Sequence, residues 1–303
     1  MRVRVSRLVV VMVMFCCCAY SQAAPGTLAQ HPTVVFMTDF GHVDDSVPIC
    51  KGVMLGIAPE LRIVDLTHDV TPFDVLDGAR FLAGTTPYYP ADTVFVVVVD
   101  PGVGSTRKAI VARSKRGQYF VLPDNGLLTL VEDQDGIESA YQIQNPSWMI
   151  GSALSSTFHG RDIFSPVGAH LARGEDPAKV GPALGLTKLV RLAIRKAALN
   201  ANGISATVIG TDGPFGNLVT NVNREDFARL GYALGEKVKF TVAGKPLEIP
   251  FVKTFSDVPV GSPLLYIDSR GHLGLAVNQS SFVKRYGVDI PATLDIKAKV
   301  HVR

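Results

Sequence analysis

Cysteine is nearly absent from the body of this chain. Of four in 303 residues, Cys16, Cys17 and Cys18 sit in the first apolar run, and only Cys50 lies beyond it. Past that run no intramolecular disulfide is possible. Cys50, between Ile49 and Lys51 on an expected helix, reads as a small buried hydrophobe. Metal-ligand spacing is missing too: the seven histidines are scattered, with no His-x-x-x-His and no Cys-x-x-Cys, so no metal site is expected. No Gly-x-Gly-x-x-Gly follows the first expected strand, which leaves a dinucleotide cofactor without support. The stretch GVGSTRK departs from the phosphate-loop pattern, because Lys108 follows Arg107 and precedes Ala109. A charge excess is lacking as well. Lys and Arg number 30 against 27 Asp and Glu, and Arg2, Arg4 and Arg7 account for the whole formal charge of +3. A neutral body gives no basic field for nucleic acid. Internal repeats and low-complexity stretches are also missing.

Those three arginines open a different kind of segment. A positive start, an apolar run over 8–20 and small Ser21 and Ala23 predict a secretory signal peptide over 1–23, cleaved after Ala23. The expected location is periplasmic or secreted. The run is too short to span a bilayer, which needs about 20 residues, so no stable membrane anchor is expected. A lipoprotein signal at Cys16 is the alternative; Phe15 before it is bulkier than such a signal requires.

What the chain has in quantity is apolar residues, 47% of the total. TVVFMT, LRIVDLT and TVFVVVV read as strands. DDSVPICKGVMLGI, with apolar residues at 47, 50, 54 and 55, and TPFDVLDGARFLAGTTP (71–87), with Pro72 in its first turn, read as helices. The β-α-β-α-β order argues an α/β domain over 32–190 with a mostly parallel sheet in three layers. From about 200 to 303, short strands separated by turn residues argue a small all-β, barrel-like domain.

The run TVFVVVV ends in Asp100, and TVVFMT ends before Asp39, so both acids belong at the carboxyl edge of the sheet, where open α/β sheets bind ligands. Asp39 could accept two hydrogen bonds from a vicinal diol, and Arg107, seven residues after Asp100 across a glycine-rich loop, could fold back onto that carboxylate. Turns and caps explain the same residues without any ligand. His159, Gly160, Arg161 and Asp162 crowd a helix entrance, where an anion site and an acid–base histidine are possible, or simple capping and salt bridging. In TDGPFGNLVTN, Phe215 either packs into the core beside a turn or stacks on a base whose edge Asn217 reads. His170 reads as a packing residue.

Six motifs in order, TDFGHVDDSVPICKG, DLTHDVTPFDVLDGARF, VVVVDPGVGSTRK, LPDNGLLT, STFHGRDIFSPVGAHLA and DGPFGNLVTN, resemble the S-adenosylmethionine hydroxide adenosyltransferases, hydrolases related to the fluorinase and chlorinase. The resemblance runs from about Val34 to Val302. It implies an α/β domain followed by a barrel-like domain, in homotrimers with each site between neighbouring subunits. The implied substrate is S-adenosylmethionine, attacked at ribose C5′ by water or hydroxide to give adenosine and methionine, with no cofactor or metal. It also implies a catalytic Asp100, Arg107 and His159, and Asp39 on the ribose diol. Asp44, Ser46, Asp212, Ser269 and Arg270 fall around the methionine part, and Phe215 and Asn217 on adenine. Related halogenases carry Tyr where Asp100 stands, and the fluorinase carries Ser where Gly160 stands. A chloride-using halogenase and a non-catalytic adenosine-binding export are the alternative readings.

Overall fold

The computed structural model describes residues 32–151 and 153–299; the signal peptide expected over 1–23 lies outside them. Six strands, β1 (Thr33–Thr38), β2 (Arg62–Thr67), β3 (Val94–Val98), β4 (Ala109–Ser114), β5 (Tyr119–Pro123) and β6 (Ile137–Gln142), form one sheet in the order β2-β1-β3-β5-β4-β6. β2, β1, β3 and β5 run parallel, and β4 lies antiparallel to both its neighbours. Every residue of β3 is buried, as an unbroken β-branched run requires when both faces are covered.

Helices α1 (Ser46–Ile57), α2 (Val75–Thr85), α3 (Thr129–Asp135) and α4 (Ser165–Ala172) supply those covers. Val34, Phe36 and Val96 meet Cys50 and Met54 of α1 and Val167 of α4 on one face. Val35, Met37 and Val97 meet Leu82 of α2 and Val131 of α3 on the other. Each fully buried side chain of this size contributes roughly 1.5–3 kcal/mol relative to exposure. On α1 the expected stripe holds at Val47, Cys50 and Met54, but Leu55 is turned outward, 42% exposed.

The helix expected over 71–87 starts later. Asp74 caps α2 by accepting from the Asp77 backbone N–H, and Pro72 falls in a turn before it. In that turn Phe73 takes φ of 66°, a left-handed backbone that a helix excludes.

The second sheet is antiparallel throughout. It comprises β7 (Ala198–Asn200), β8 (Gly203–Asp212), β9 (Asn217–Asn223), β10 (Lys237–Val242), β11 (Lys245–Pro250), β12 (Pro263–Ile267), β13 (His272–Val277) and β14 (Ala292–Lys297). The order is β11-β10-β14-β8-β9-β13-β12, with β7 added beside β8. Phe251, just past β11, bridges to Leu265 of β12, and the Val252 N–H donates to the Leu265 carbonyl at 2.9 Å, so the sheet nearly closes into a barrel. Ile204, Val208, Leu218, Phe240 and Leu275 fill its interior. The fold is therefore an α/β layer followed by a barrel-like β unit.

Candidate active site

Thr38 of β1 lies opposite Val98 of β3, which brings Asp39 and Asp100 to the same carboxyl edge. The loop after β3 then doubles back. Gly104 takes φ of +76°, and a Cβ there would meet the Ser156 carbonyl at 2.5 Å, so only glycine lets this loop lie against the segment that carries His159. Arg107 arrives beside Asp100 in consequence. Its Nε donates to Asp100 Oδ1 and Oδ2 at 2.9 Å each, and its Nη2 donates to Oδ2 as well. The side chains are 5% and 11% exposed, so this is a buried, fork-shaped ion pair. The Phe164 ring lies 5.2 Å from the guanidinium carbon and helps to fix its plane.

The same Nη2 reaches His159 Nδ1 at 2.8 Å, so Asp100, Arg107 and His159 form one hydrogen-bonded row. Burial, and then the Arg107 charge, hold the His159 pKa below the ordinary 6.5. The imidazole is therefore neutral near pH 7. Arginine has no acceptor, so Nδ1 must be the bare nitrogen and Nε2 must carry the hydrogen.

His159 precedes a π-helical turn, Gly160–Phe164, that runs into α4. Such turns are rare and often mark functional sites. Asp162, 1% exposed, anchors it by accepting from the Ser155 N–H at 2.6 Å and from Arg161 Nε at 2.5 Å. Burial pushes the Asp162 pKa up, but those two donors win and hold it below the usual carboxylate range. A Cβ on Gly160 would stand 3.0 Å from Phe40 Cζ, and Phe40 also meets Phe158 edge to face at 6.0 Å. Phe40 thus ties the Asp39 turn to the His159 turn.

Asp39 Oδ2 accepts from the Phe73 N–H at 2.9 Å, and its Oδ1 has no protein donor among the described residues. Phe73 is 73% exposed at the rim. The sequence pattern did not single it out, although an aromatic between Pro72 and a capping Asp74 is a turn signal. Asp44 Oδ1 accepts from the Ser46 N–H at 2.9 Å at the start of α1. Asp44 lies on the loop that follows Asp39, and Ser46 is the first residue of α1.

The remaining candidates belong to the β unit. Asp212, Phe215 and Asn217 line a cavity of about 770 Å³ together with Phe255, Tyr266 and Lys284. Phe215 is 69% exposed, so its ring is not in the core as a plain turn would have it. Asn217 is buried. Burial raises the Asp212 pKa against the opposing charges of Arg80 and Arg270, and Tyr266 Oη donates to its carboxylate at 3.4 Å. Ser269 and Arg270 line a second cavity, of about 600 Å³, beside Arg80 and Gly84 of α2. Among the described residues, no hydrogen bond or ion pair joins the Asp39, Asp100, Arg107 and His159 group to these five.

His170 packs against Trp148 at 5.1 Å, and its Nδ1 also contacts Glu175 at 2.6 Å. Among the described residues no group of three or more His, Cys, Asp or Glu is placed to hold a metal ion, and no helix is long and apolar enough to cross a membrane.

Comparison with known proteins gives a consistent result. The family model described as the SAM hydroxide adenosyltransferase N-terminal domain matches residues 34–181, and the model for the C-terminal domain matches 206–294. A protein from Salinispora arenicola named (R)-S-adenosyl-L-methionine hydrolase is 41% identical over 253 residues, covering 83% of this chain and 92% of that protein. A fluorinase from an Actinoplanes species is 34% identical over 291 residues, covering 88% and 97%. A crystal structure of an uncharacterized conserved protein from Thermotoga maritima superposes with a TM-score of 0.82 at 37% identity, covering 87% of this chain and 99% of that one.

Proposed function

The chain belongs to the S-adenosylmethionine hydroxide adenosyltransferase family, and from that premise we propose that it hydrolyses S-adenosyl-L-methionine to adenosine and L-methionine. Water attacks ribose C5′ as the C5′–sulfur bond breaks, its electron pair stays on sulfur as methionine leaves, and one proton is released. The observation that carries this reading is the hydrogen-bonded row Asp100–Arg107–His159 at the sheet edge that also bears Asp39.

The sulfonium is a good leaving group and needs no acid. What the reaction needs is an oriented, more nucleophilic water. Asp100 accepts one of its hydrogen bonds, and the Arg107 charge lowers the cost of hydroxide character. His159 offers an N–H at Nε2, so in this state it positions oxygen and is not the first acceptor of the proton, which passes to solvent. Asp39, with Oδ1 open, takes the ribose hydroxyls. Asp212, Phe215, Asn217, Ser269 and Arg270 act on a substrate bound to a neighbouring copy, in a homotrimer. That assembly is supported by the lack, among the described residues, of any hydrogen bond or ion pair between the two residue groups. An apolar rim of Val43, Phe73, Val103, Ile150 and Leu154, each at least 37% exposed, supports it further. Export through the segment 1–23 completes the proposal, and a mature chain beginning at Ala24 by mass spectrometry is its check.

The test is incubation of the purified protein with S-adenosylmethionine in the presence of a chelator, followed by chromatography. Adenosine and methionine in equal amounts are expected. Intact substrate after long incubation with folded protein refutes the assignment.

A further inference from the structure

We propose that His68 is a positioning residue for Asp39, holding the turn that presents this acid to the ribose 2′- and 3′-hydroxyls; the proposal rests on the hydrolase reading. His68 directly follows β2 and is fully buried, and no role in the reaction has so far been given to it. Its Nδ1 lies 2.9 Å from Thr38 Oγ1, at the end of β1. Thr38 Oγ1 also accepts from the Phe40 N–H at 3.2 Å, so the Thr38 hydroxyl hydrogen is free to go to Nδ1. Nε2 then keeps its hydrogen; Asp65 Oδ1 lies 3.1 Å away but off the line of a hydrogen bond, and Asp65 is held by Lys51 Nζ at 2.6 Å. The tautomer with its hydrogen on Nε2 fits the Thr38 bond and keeps a bare nitrogen away from the Asp65 carboxylate.

The main chain closes the same device. The Gly41 N–H donates to the His68 carbonyl at 2.7 Å, and the Val70 N–H to the Thr38 carbonyl at 3.4 Å. Asp39 therefore sits between two residues, Thr38 and Gly41, that are both pinned to His68. The ring is wedged edge-on against Phe36 at 4.9 Å and His42 at 5.5 Å. Burial, opposed by Asp65 and reinforced by Lys51 and His42, keeps the imidazole neutral, as the Thr38 bond requires. If the Thr38 link is broken, the turn keeps its backbone bonds and the Phe73 N–H on Asp39 Oδ2, but loses the side-chain brace at its start, and the open Oδ1 of Asp39 is aimed less narrowly.

Isothermal calorimetry with adenosine and 2′-deoxyadenosine reads that aim directly, because the two differ by one hydroxyl. A hydrogen bond to a charged carboxylate implies that the wild type prefers adenosine by about tenfold or more. His68→Phe, which keeps a ring but removes both nitrogens, and Thr38→Val should each reduce the preference to about threefold or less, while Thr38→Ser, which keeps the hydroxyl, should retain it. A loss of packing alone would weaken both nucleosides together and leave their ratio unchanged. Where His68→Phe does not fold by circular dichroism, the Thr38 pair carries the test. A wild-type ratio in Thr38→Val overturns the proposal, as does a wild type that forms adenosine from S-adenosylmethionine yet binds both nucleosides equally. A wild type that forms no adenosine and binds neither nucleoside overturns the hydrolase reading itself.

Discussion

Removing the Asp100 carboxylate should damage stability and turnover by separable amounts. In Asp100→Ala the Arg107 guanidinium, 11% exposed, loses the one ion-pair partner it has among the described residues and keeps His159 as its acceptor. Breaking one side of a buried, multiply bonded pair costs about 3–5 kcal/mol. At about 2–4 °C per kcal/mol for a chain of this size, Tm should fall by about 6–20 °C. Turnover should fall by about 10²–10⁴, the usual range for losing a group that positions and accepts from a nucleophile. Replacing both partners, as Asp100→Leu with Arg107→Met, removes the stranded charge and should recover at least about half of the lost Tm, with no return of activity. Thermal unfolding by circular dichroism and adenosine release by chromatography read the two effects. Turnover of Asp100→Ala within about threefold of wild type would refute the catalytic role. A double variant no more stable than the single one would refute the ion-pair reasoning.

Other consequences follow from the same geometry. Because burial and Arg107 depress the His159 pKa, the unfolded chain takes up that proton first as pH falls; stability is full above about 6.5 and declines from there through the lower folded value. The pH profile of kcat/KM should show an acid limb centred below 6.5, and a limb centred above 6.5 contradicts the neutral imidazole. In Gly160→Ser the new Cβ, 3.0 Å from Phe40 Cζ, must displace that ring, at a cost of about 1–3 kcal/mol in denaturant titration; no loss would mean that Phe40 is loosely held. A Cβ at Gly210 would stand 1.9 Å from Arg80 Nη1, which Asp77 pins at 2.8 Å, whereas a Cβ at Gly84 meets the Arg270 guanidinium, which has no ion-pair partner among the described residues. Gly210→Ala should therefore lower Tm clearly more than Gly84→Ala, and equal losses would show that Arg80 moves freely. Excess chloride should leave adenosine as the product, and 5′-chloro-5′-deoxyadenosine would install the halogenase reading in its place.

The layered fold was legible because its signals are local. A β-branched run such as 94–98 has few uses other than a doubly covered strand, and acids just past two such runs fall on one edge once the strands are parallel. The Asp100–Arg107 contact was foreseeable from a seven-residue glycine-rich loop. Other features depend on partners far along the chain. The late start of α2 turns on Asp39 holding the Phe73 N–H across 34 residues. The π-helical turn after His159 depends on Asp162 bonding backward to Ser155 and has no compositional mark. His68 looked like one of several scattered histidines, because its meaning lies in Thr38, 30 residues earlier. Phe215 could have been core or surface from its turn residues alone, and only the cavity it lines decides.

In the proposed reaction, position 100 also selects the nucleophile. A halide must arrive already charged and shed its own water. Here it would meet the Asp100 carboxylate, and the Arg107 guanidinium, shared between that carboxylate and His159, holds an arriving anion less strongly than an unpaired cation would. Water enters neutral and meets no such barrier. It acquires negative charge only as its proton departs, when Asp100 and Arg107 are already oriented around it. A site of this kind therefore selects its nucleophile by the charge state on entry, and the Asp100 carboxylate that would repel a chloride is the group that a water hydrogen bonds.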